Sequence, residues 1–177
     1  RMRRDAFVDA VSVASALREL FHDPDDIMRF TIGRFEVSPG ALAVVPGRVF
    51  FTIDIRHPDN ATLARLGDQV EAVCTEAASR CEVRVVETRR ADSTPFVGLV
   101  PEAVEAASRE RGYAYKHMPS GAGHDARYVS EICPSGMVFV PCESGLSHNE
   151  RENVTADDLA RGAQVVADTL LILDERL

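Results

Sequence analysis

Three short stretches of this 177-residue chain hold residue types that can do chemistry. In PSGAGHDA, residues 119–126, Gly121 and Gly123 permit unusual backbone angles and close approach of main-chain N–H groups to a ligand, with His124 and Asp125 directly behind them. If that loop opens a helix, its N–H groups can hold an anion or a developing oxyanion; equally, Asp125 can simply complement a helix dipole. In SGLSHNERE, residues 144–152, His148 offers an imidazole to a metal, with Glu150 or Glu152 near enough to orient it. One histidine is not a metal site, because a catalytic metal wants about three protein ligands and an open position. The third stretch is RVFFTIDIR, which ends in Arg56, whose guanidinium fork matches a carboxylate bidentately. An exposed strand-end arginine paired with Asp54 or Glu36 is the plainer reading. Cys142, six residues before His148, suggests a Cys–His nucleophile or a small buried cysteine. No GxSxG elbow, phosphate-binding loop or GxGxxG fingerprint occurs.

The elements that would position these residues follow from periodicity. Residues 5–21 carry Phe7, Ala10, Val11, Ala14, Leu17 and Phe21 on a helical stripe, ending near HDPDD, where Pro24 disfavours helix in the residue before it. Two strands, MRFTIGRFEV and RVFFTIDIR, flank the turn-rich SPGALAVVPG. In the second, Val49, Phe51, Ile53 and Ile55 alternate with Phe50, Thr52, Asp54 and Arg56, so Asp54 and Arg56 point the same way. A second helix starts at Asp59 or Asn60 and carries Leu63, Leu66, Val70, Val73 and Ala77; CEVRVVE then predicts a strand. The order helix, strand, strand, helix, strand is a ferredoxin-like pattern without its first strand, and a chain so begun is expected to be truncated at its N-terminus.

Beyond a boundary near residues 89–95, the pattern predicts a helix over 97–111 with Val97, Val100, Val104 and Ala107 inward, and a short helix over 125–131. The apolar GMVFVP suits a strand buried on both faces of a partly parallel sheet. A last helix starts at Thr155, with Asp158 completing a capping box and Leu159, Ala163, Val166, Leu170 and Leu173 facing the core. The fold class is thus α/β and α+β in two units.

Composition excludes several functions. With 28 acidic against 20 basic residues the net charge is -8 and no basic block occurs, so nucleic acid is a poor partner. The four cysteines form no CxxC pair, which favours reduced thiols and a cytoplasmic location over a disulfide scaffold. Asp5, Asp9 and Arg18 interrupt what would be the apolar core of a signal peptide, and no apolar run is long enough to span a membrane.

Taken in order, MRRDAF, TIGRFEVSPGALAVVPG, FTIDIR, PSGAGHDA, GMVFVP and GLSHNERE resemble the hydantoinase/carbamoylase family of amidohydrolases across essentially the whole chain. That family includes N-carbamoyl-L-amino-acid hydrolases, allantoate amidohydrolases and β-ureidopropionases, within the zinc aminopeptidase-like superfamily. The resemblance implies a metal-dependent amidohydrolase that cleaves a linear carbamoyl or amide C–N bond. Its α/β catalytic domain would be interrupted by a ferredoxin-like lid that also forms a homodimer. Residues 1–91 resemble the lid without its first strand, and residues 92–177 the C-terminal segment of the catalytic domain. By the same resemblance His148 matches a metal ligand, Arg56 the arginine that holds the substrate carboxylate, and Gly123 a backbone contact to the substrate. Two divalent ions (Zn2+, Mn2+, Co2+ or Ni2+) would serve the complete enzyme, and its general base is expected in the N-terminal half, which these residues do not match. Ala43 stands where the family commonly has asparagine; alanine cannot make those amide hydrogen bonds, and a lost bond to a charged group costs about 1.5–3 kcal/mol. The alternatives are a non-catalytic dimerisation or ligand-binding module, and an aminoacylase or peptidase of the same superfamily.

Overall fold

The computed structural model describes residues 3–176, so the Met2 that begins MRRDAF lies outside the described residues. The chain divides into two compact units, Arg1–Ser93 and Thr94–Leu177.

The first unit is a mixed α/β layer built on a hairpin. Helix α1, Ala6–Leu20, starts where Asp5 accepts from the Phe7 and Val8 amides. Of the expected stripe Ala10, Leu17 and Phe21 are buried, joined by Val13, whereas Phe7 and Val11 are both more than two-fifths exposed. Strand β1, Arg29–Ser38, pairs antiparallel with β2, Arg48–Arg56. The register slips between Ile32 and Arg34, which makes Gly33 the extra residue of a bulge. That slip explains a change of phase in the sequence. Phe30 and Ile32 precede it and Phe35 and Val37 follow it, yet the bulge lets both pairs share one face, as a strict period of two would not. Thr52 Oγ1 accepts from the Arg34 amide at 3.2 Å beside the bulge. In β2, Val49, Phe51, Ile53 and Ile55 are the more covered residues, as their alternation predicts.

The second predicted helix is two helices, α2 at Asn60–Gly67, capped by Asp59, and α3 at Val70–Ala77. Gly67 and Asp68, both weak helix formers, lie at the break. Val13, Leu17 and Phe21 meet Met28, Val70 and Cys74 in one buried cluster, against which Phe30, Phe51, Ile53 and Ile55 pack. The CEVRVVE run is not a strand. It pairs with neither β1 nor β2, although Val83 and Val85 still pack against the core and its alternate residues remain the covered ones. Its entry is fixed by Asp9, a buried carboxylate on α1 that accepts from Ser79 Oγ (3.0 Å), the Arg80 amide (2.9 Å) and the Cys81 amide (2.7 Å). These bonds hold the Asp9 carboxyl far below the usual carboxylate range, the Arg80 amide contributing most.

In the second unit, α4, Leu99–Glu110, packs against the last helix, which takes the label α6 and runs Ala156–Asp174; between them lies the four-residue α5, Ala126–Val129. Ala103, Ala107 and Ser108 of α4 and Val165 and Thr169 of α6 are the buried residues, small enough to let the helices approach closely. The buried hydroxyls are satisfied by carbonyls one turn back, Ser108 to Val104 and Thr169 to Val165. Arg111 grips Asp168 through two bonds of 2.6 and 2.9 Å. Val97, Leu159, Val166 and Leu170, expected inside, are instead exposed. The GMVFVP run forms no ladder among the described residues and is not buried on both faces, since Phe139 is half exposed. It lies against the helices: a Cβ on Gly162 would clash with Val140, and one on Gly136 would come 2.9 Å from Val100. A strand covered on both sides needs layers on both faces, and within this unit the helices supply one.

Candidate functional site

The residues singled out by their chemistry are divided between the units: Ala43 and Arg56 in the first, Gly123, His124, Cys142 and His148 in the second.

Arg56 ends β2, where the two-residue period puts it on the same face as Asp54. Its guanidinium donates to Asp54 through Nε at 2.6 Å and through a second nitrogen at 3.1 Å, and this pairing raises the arginine's pKa. Glu36, the other expected partner, is taken by Arg34. Both members of the Arg56–Asp54 pair remain about half exposed.

Ala43 sits exposed in the loop that joins the two strands. Gly47 N–H bonds Ser38 C=O at 3.0 Å to close that loop, and Ala6 N–H bonds Pro46 C=O at 3.1 Å to tie it to the start of α1.

The glycine loop differs from its expected geometry in two ways. Neither Gly121 nor Gly123 is among the glycines with positive φ, so neither is required by a left-handed turn. Both face open space, with no atom within 4 Å of where a Cβ would stand. The helix that follows is only α5, and Asp125 makes no side-chain capping bond to it, so a helix-dipole role for either the loop or Asp125 has little to act through. The organised contact in this loop involves Ser120, whose Oγ lies 2.7 Å from His124 Nε2 and accepts from the Ala122 amide at 3.2 Å. Ser120 was not singled out by motif, although a serine four residues before a histidine across two glycines is visible in the sequence.

His148 occupies a loop whose ends are joined by Glu143 N–H to Asn153 C=O at 2.8 Å. Ser144 and His148 both have positive φ, 56° and 57°. For a non-glycine residue this conformation is unfavourable and persists only when its surroundings impose it. Glu152 supplies that constraint, accepting from the His148 backbone N–H at 2.9 Å. Glu152 therefore orients the backbone of His148 and not its ring, which differs from the carboxylate–imidazole pairing expected. The exposed imidazole has no protein partner among the described residues. Cys142 Sγ faces Glu152 at 3.8 Å, not an imidazole, so the Cys–His nucleophile reading falls. The remaining histidines are dispersed: His57 accepts from the Asp59 amide, and His117 pairs with Glu105. Among the described residues no three His, Cys, Asp or Glu side chains converge as a metal site. No helix among them is long and apolar enough to cross a membrane.

Residues 10–172 match peptidase family M20/M25/M40, and the chain belongs to that family. Within it the likeness is to amidases of the hydantoinase/carbamoylase type. The chain is 33% identical to the N-carbamoyl-L-amino-acid amidohydrolase of Paenarthrobacter aurescens, over 98% of this chain and 42% of the relative. It is 30% identical to the allantoate amidohydrolase of Bacillus subtilis (strain 168), over 96% of this chain and 42% of that protein. The crystal structure of a hydantoinase/carbamoylase family amidase from Burkholderia multivorans superposes with a TM-score of 0.83 at 36% identity, covering 96% of this chain and 42% of that one. The chain thus spans less than half the length of these relatives.

Proposed function

We propose that this chain supplies substrate-binding groups and one metal ligand to an amidohydrolase that cleaves a linear carbamoyl or amide C–N bond in a small substrate bearing a carboxylate. The observation that carries the reading is the likeness, along nearly the whole chain, to a carbamoyl-amino-acid and an allantoate amidohydrolase. Arg56 holds the carboxylate, the Gly123 backbone contacts the substrate, and His148 is one ligand of a pair of divalent ions. When bound, such ions polarise a carbonyl and lower the pKa of water. The donors on this chain do not by themselves fit such a pair, because His148 has no converging companions among the described residues. What the chain's own residues do is bind and orient. Arg56, a permanent cation, fixes one end of the substrate, and fixing it in register with the scissile bond converts binding into orientation. Ala43 leaves that orientation with one side-chain contact fewer than an asparagine would supply.

In the same reading the unit to Ser93 is a ferredoxin-like lid through which the protein dimerises, the unit from Thr94 is part of a catalytic domain, and the setting is cytoplasmic. The test uses N-carbamoyl amino acids and allantoate with added Mn2+, Co2+ or Zn2+. The chain alone is expected to give no turnover, and to bind the carboxylate substrate in calorimetry through Arg56, so that Arg56→Ala removes the heat. Robust turnover by these 177 residues overturns the incomplete site; binding undiminished by Arg56→Ala overturns the arginine's role.

A second reading, a non-catalytic dimerisation or ligand-binding module, is favoured by the isolation of His148 from other metal-ligating groups. Self-association without metal uptake would support it, and tight metal binding would count against it. Cleavage of acyl in place of carbamoyl substrates would move the assignment to an aminoacylase or peptidase.

A further inference from the structure

One face of the β1–β2 hairpin is turned away from the core, and its charges are not balanced by the chain itself. Alternation sends Arg48 and Phe50 to the side opposite Val49 and Phe51, and the register sets Glu36 across from Phe50 and Ser38 across from Arg48. With Arg34 these side chains line an open groove of about 390 Å³, within the size range of small-ligand sites. Two guanidinium groups border it, in different states. Arg34 donates to Glu36 Oε1 through Nε at 2.8 Å and through a second nitrogen, and it lies over the Phe50 ring, 5.2 Å from the centroid. Glu36 is thereby engaged. Arg48 is exposed and its side chain has no hydrogen bond or ion pair among the described residues. The groove thus carries two positive charges and one negative, although the chain as a whole has a net charge of -8.

We propose that this groove is a carboxylate site separate from Arg56, taking a small organic monoanion whose flat apolar body lies against Phe50 while Arg48 and Ser38 hold its carboxylate. The free fork of Arg48 matches a carboxylate bidentately, and the Ser38 hydroxyl can donate to the same group from the facing strand. One surplus positive charge suits a monoanion, and Glu36 sets a like charge against a dianion. Phe50, 40% exposed, supplies apolar surface two residues along the same face. Arg48 and Arg56 are the two ends of β2, roughly 25 Å apart at the rise of a strand, so one small molecule cannot span both. The site does not depend on the hydrolase reading.

The test titrates benzoate into the 15N-labelled chain at constant ionic strength, followed by 1H–15N correlation spectra. The amides of Ser38, Arg48 and Phe50 and the Arg48 Nε–H are expected to shift together along one saturable curve. Arg48→Gln should weaken binding about tenfold or more, as loss of a bond between charged groups does. Arg56→Ala, far along the strand, should leave the curve within about twofold. Acetate, which lacks the flat body, and inorganic phosphate, which carries more charge, should both bind more weakly than benzoate. Resonances unmoved by millimolar benzoate overturn the site, as does a curve unchanged in Arg48→Gln or abolished by Arg56→Ala. Acetate or phosphate binding as tightly as benzoate overturns the flat monoanion as its ligand. Replacing Arg48 removes no contact that the fold uses, and the readout needs neither metal nor turnover, so its failure is distinguishable from failure of the hydrolase reading.

Discussion

The two units solve the same problem, burying an apolar helix face, with different completeness. In the first, α1 turns Val13 and Leu17 onto α3 and the hairpin, and Leu17 is left 1% exposed. In the second, α6 buries Val165 and Thr169 against α4, while Leu159, Val166 and Leu170, which follow an equally regular helical spacing, stay exposed. Helix α6 therefore has two apolar faces, and within its unit only one is covered. Periodicity establishes that a face is apolar; what covers it depends on the neighbouring layers.

The sharpest way to break this contrast is at its closed end. Leu17→Ala removes a side chain held on all sides and should destabilise the first unit by about 2–5 kcal/mol, a transfer loss plus a cavity that the packed surroundings cannot fully collapse. The chain has no tryptophan, so urea unfolding is followed by far-ultraviolet circular dichroism. A loss under about 1 kcal/mol would mean that the first unit is no better closed than the second.

A smaller loss is expected at Asp9, which joins α1 to residues 79–81. Asparagine keeps the size and one acceptor but loses the charge and the second acceptor, so Asp9→Asn should lower the melting temperature at neutral pH. The sign of the pH dependence follows from the direction of the shift. The folded carboxyl is held below its ordinary range, so its contribution is fully present above that range and is lost as pH falls below it, through the depressed folded value. The difference between wild type and Asp9→Asn should accordingly shrink on acidification, and a gap that stayed constant or widened would remove the carboxylate from the account.

How much of this was legible in the sequence differs by element. The hairpin's second strand was, because alternation in RVFFTIDIR states its inward face directly. The caps were also legible, with Asp59 and Thr155 accepting from backbone amides three residues on, since capping is a local bond between near neighbours. The bulge at Gly33 was not singled out, although the change of phase on either side of it records it. Asp9 was hidden for a different reason: its partners are some seventy residues away, and an acidic residue in the first turn of a helix is ordinarily explained by the dipole. At the candidate site, Arg56 and His148 were found by type and position; the alternation in β2 already offered Asp54 as one of two partners for Arg56, and the fold decides for it over Glu36, whereas the partner of His148 required the fold. Asp54 shares the face of Arg56, and Glu152 bonds the backbone of His148 where a bond to its ring was expected. The strands expected at CEVRVVE and GMVFVP failed because a strand is defined by its neighbour, and no spacing within a single run supplies one.

The smallest expected effect lies on the uncovered face of α6 and bears most directly on the comparison. Leu170 is 63% exposed, so Leu170→Ser removes few contacts and opens no cavity. Its cost should be within about 0.5 kcal/mol, the usual range for a surface change away from caps and ion pairs. Serine is a slightly poorer helix former than leucine, by a few tenths of a kcal/mol, which fixes the expected sign as weakly destabilising. The same urea titration used for Leu17→Ala measures it, and the slope should stay unchanged because the variant alters little of the surface exposed on unfolding. A loss of about 2 kcal/mol or more would place Leu170 in a packed interior. The face would then be covered in the folded protein, and the second unit would be as closed as the first.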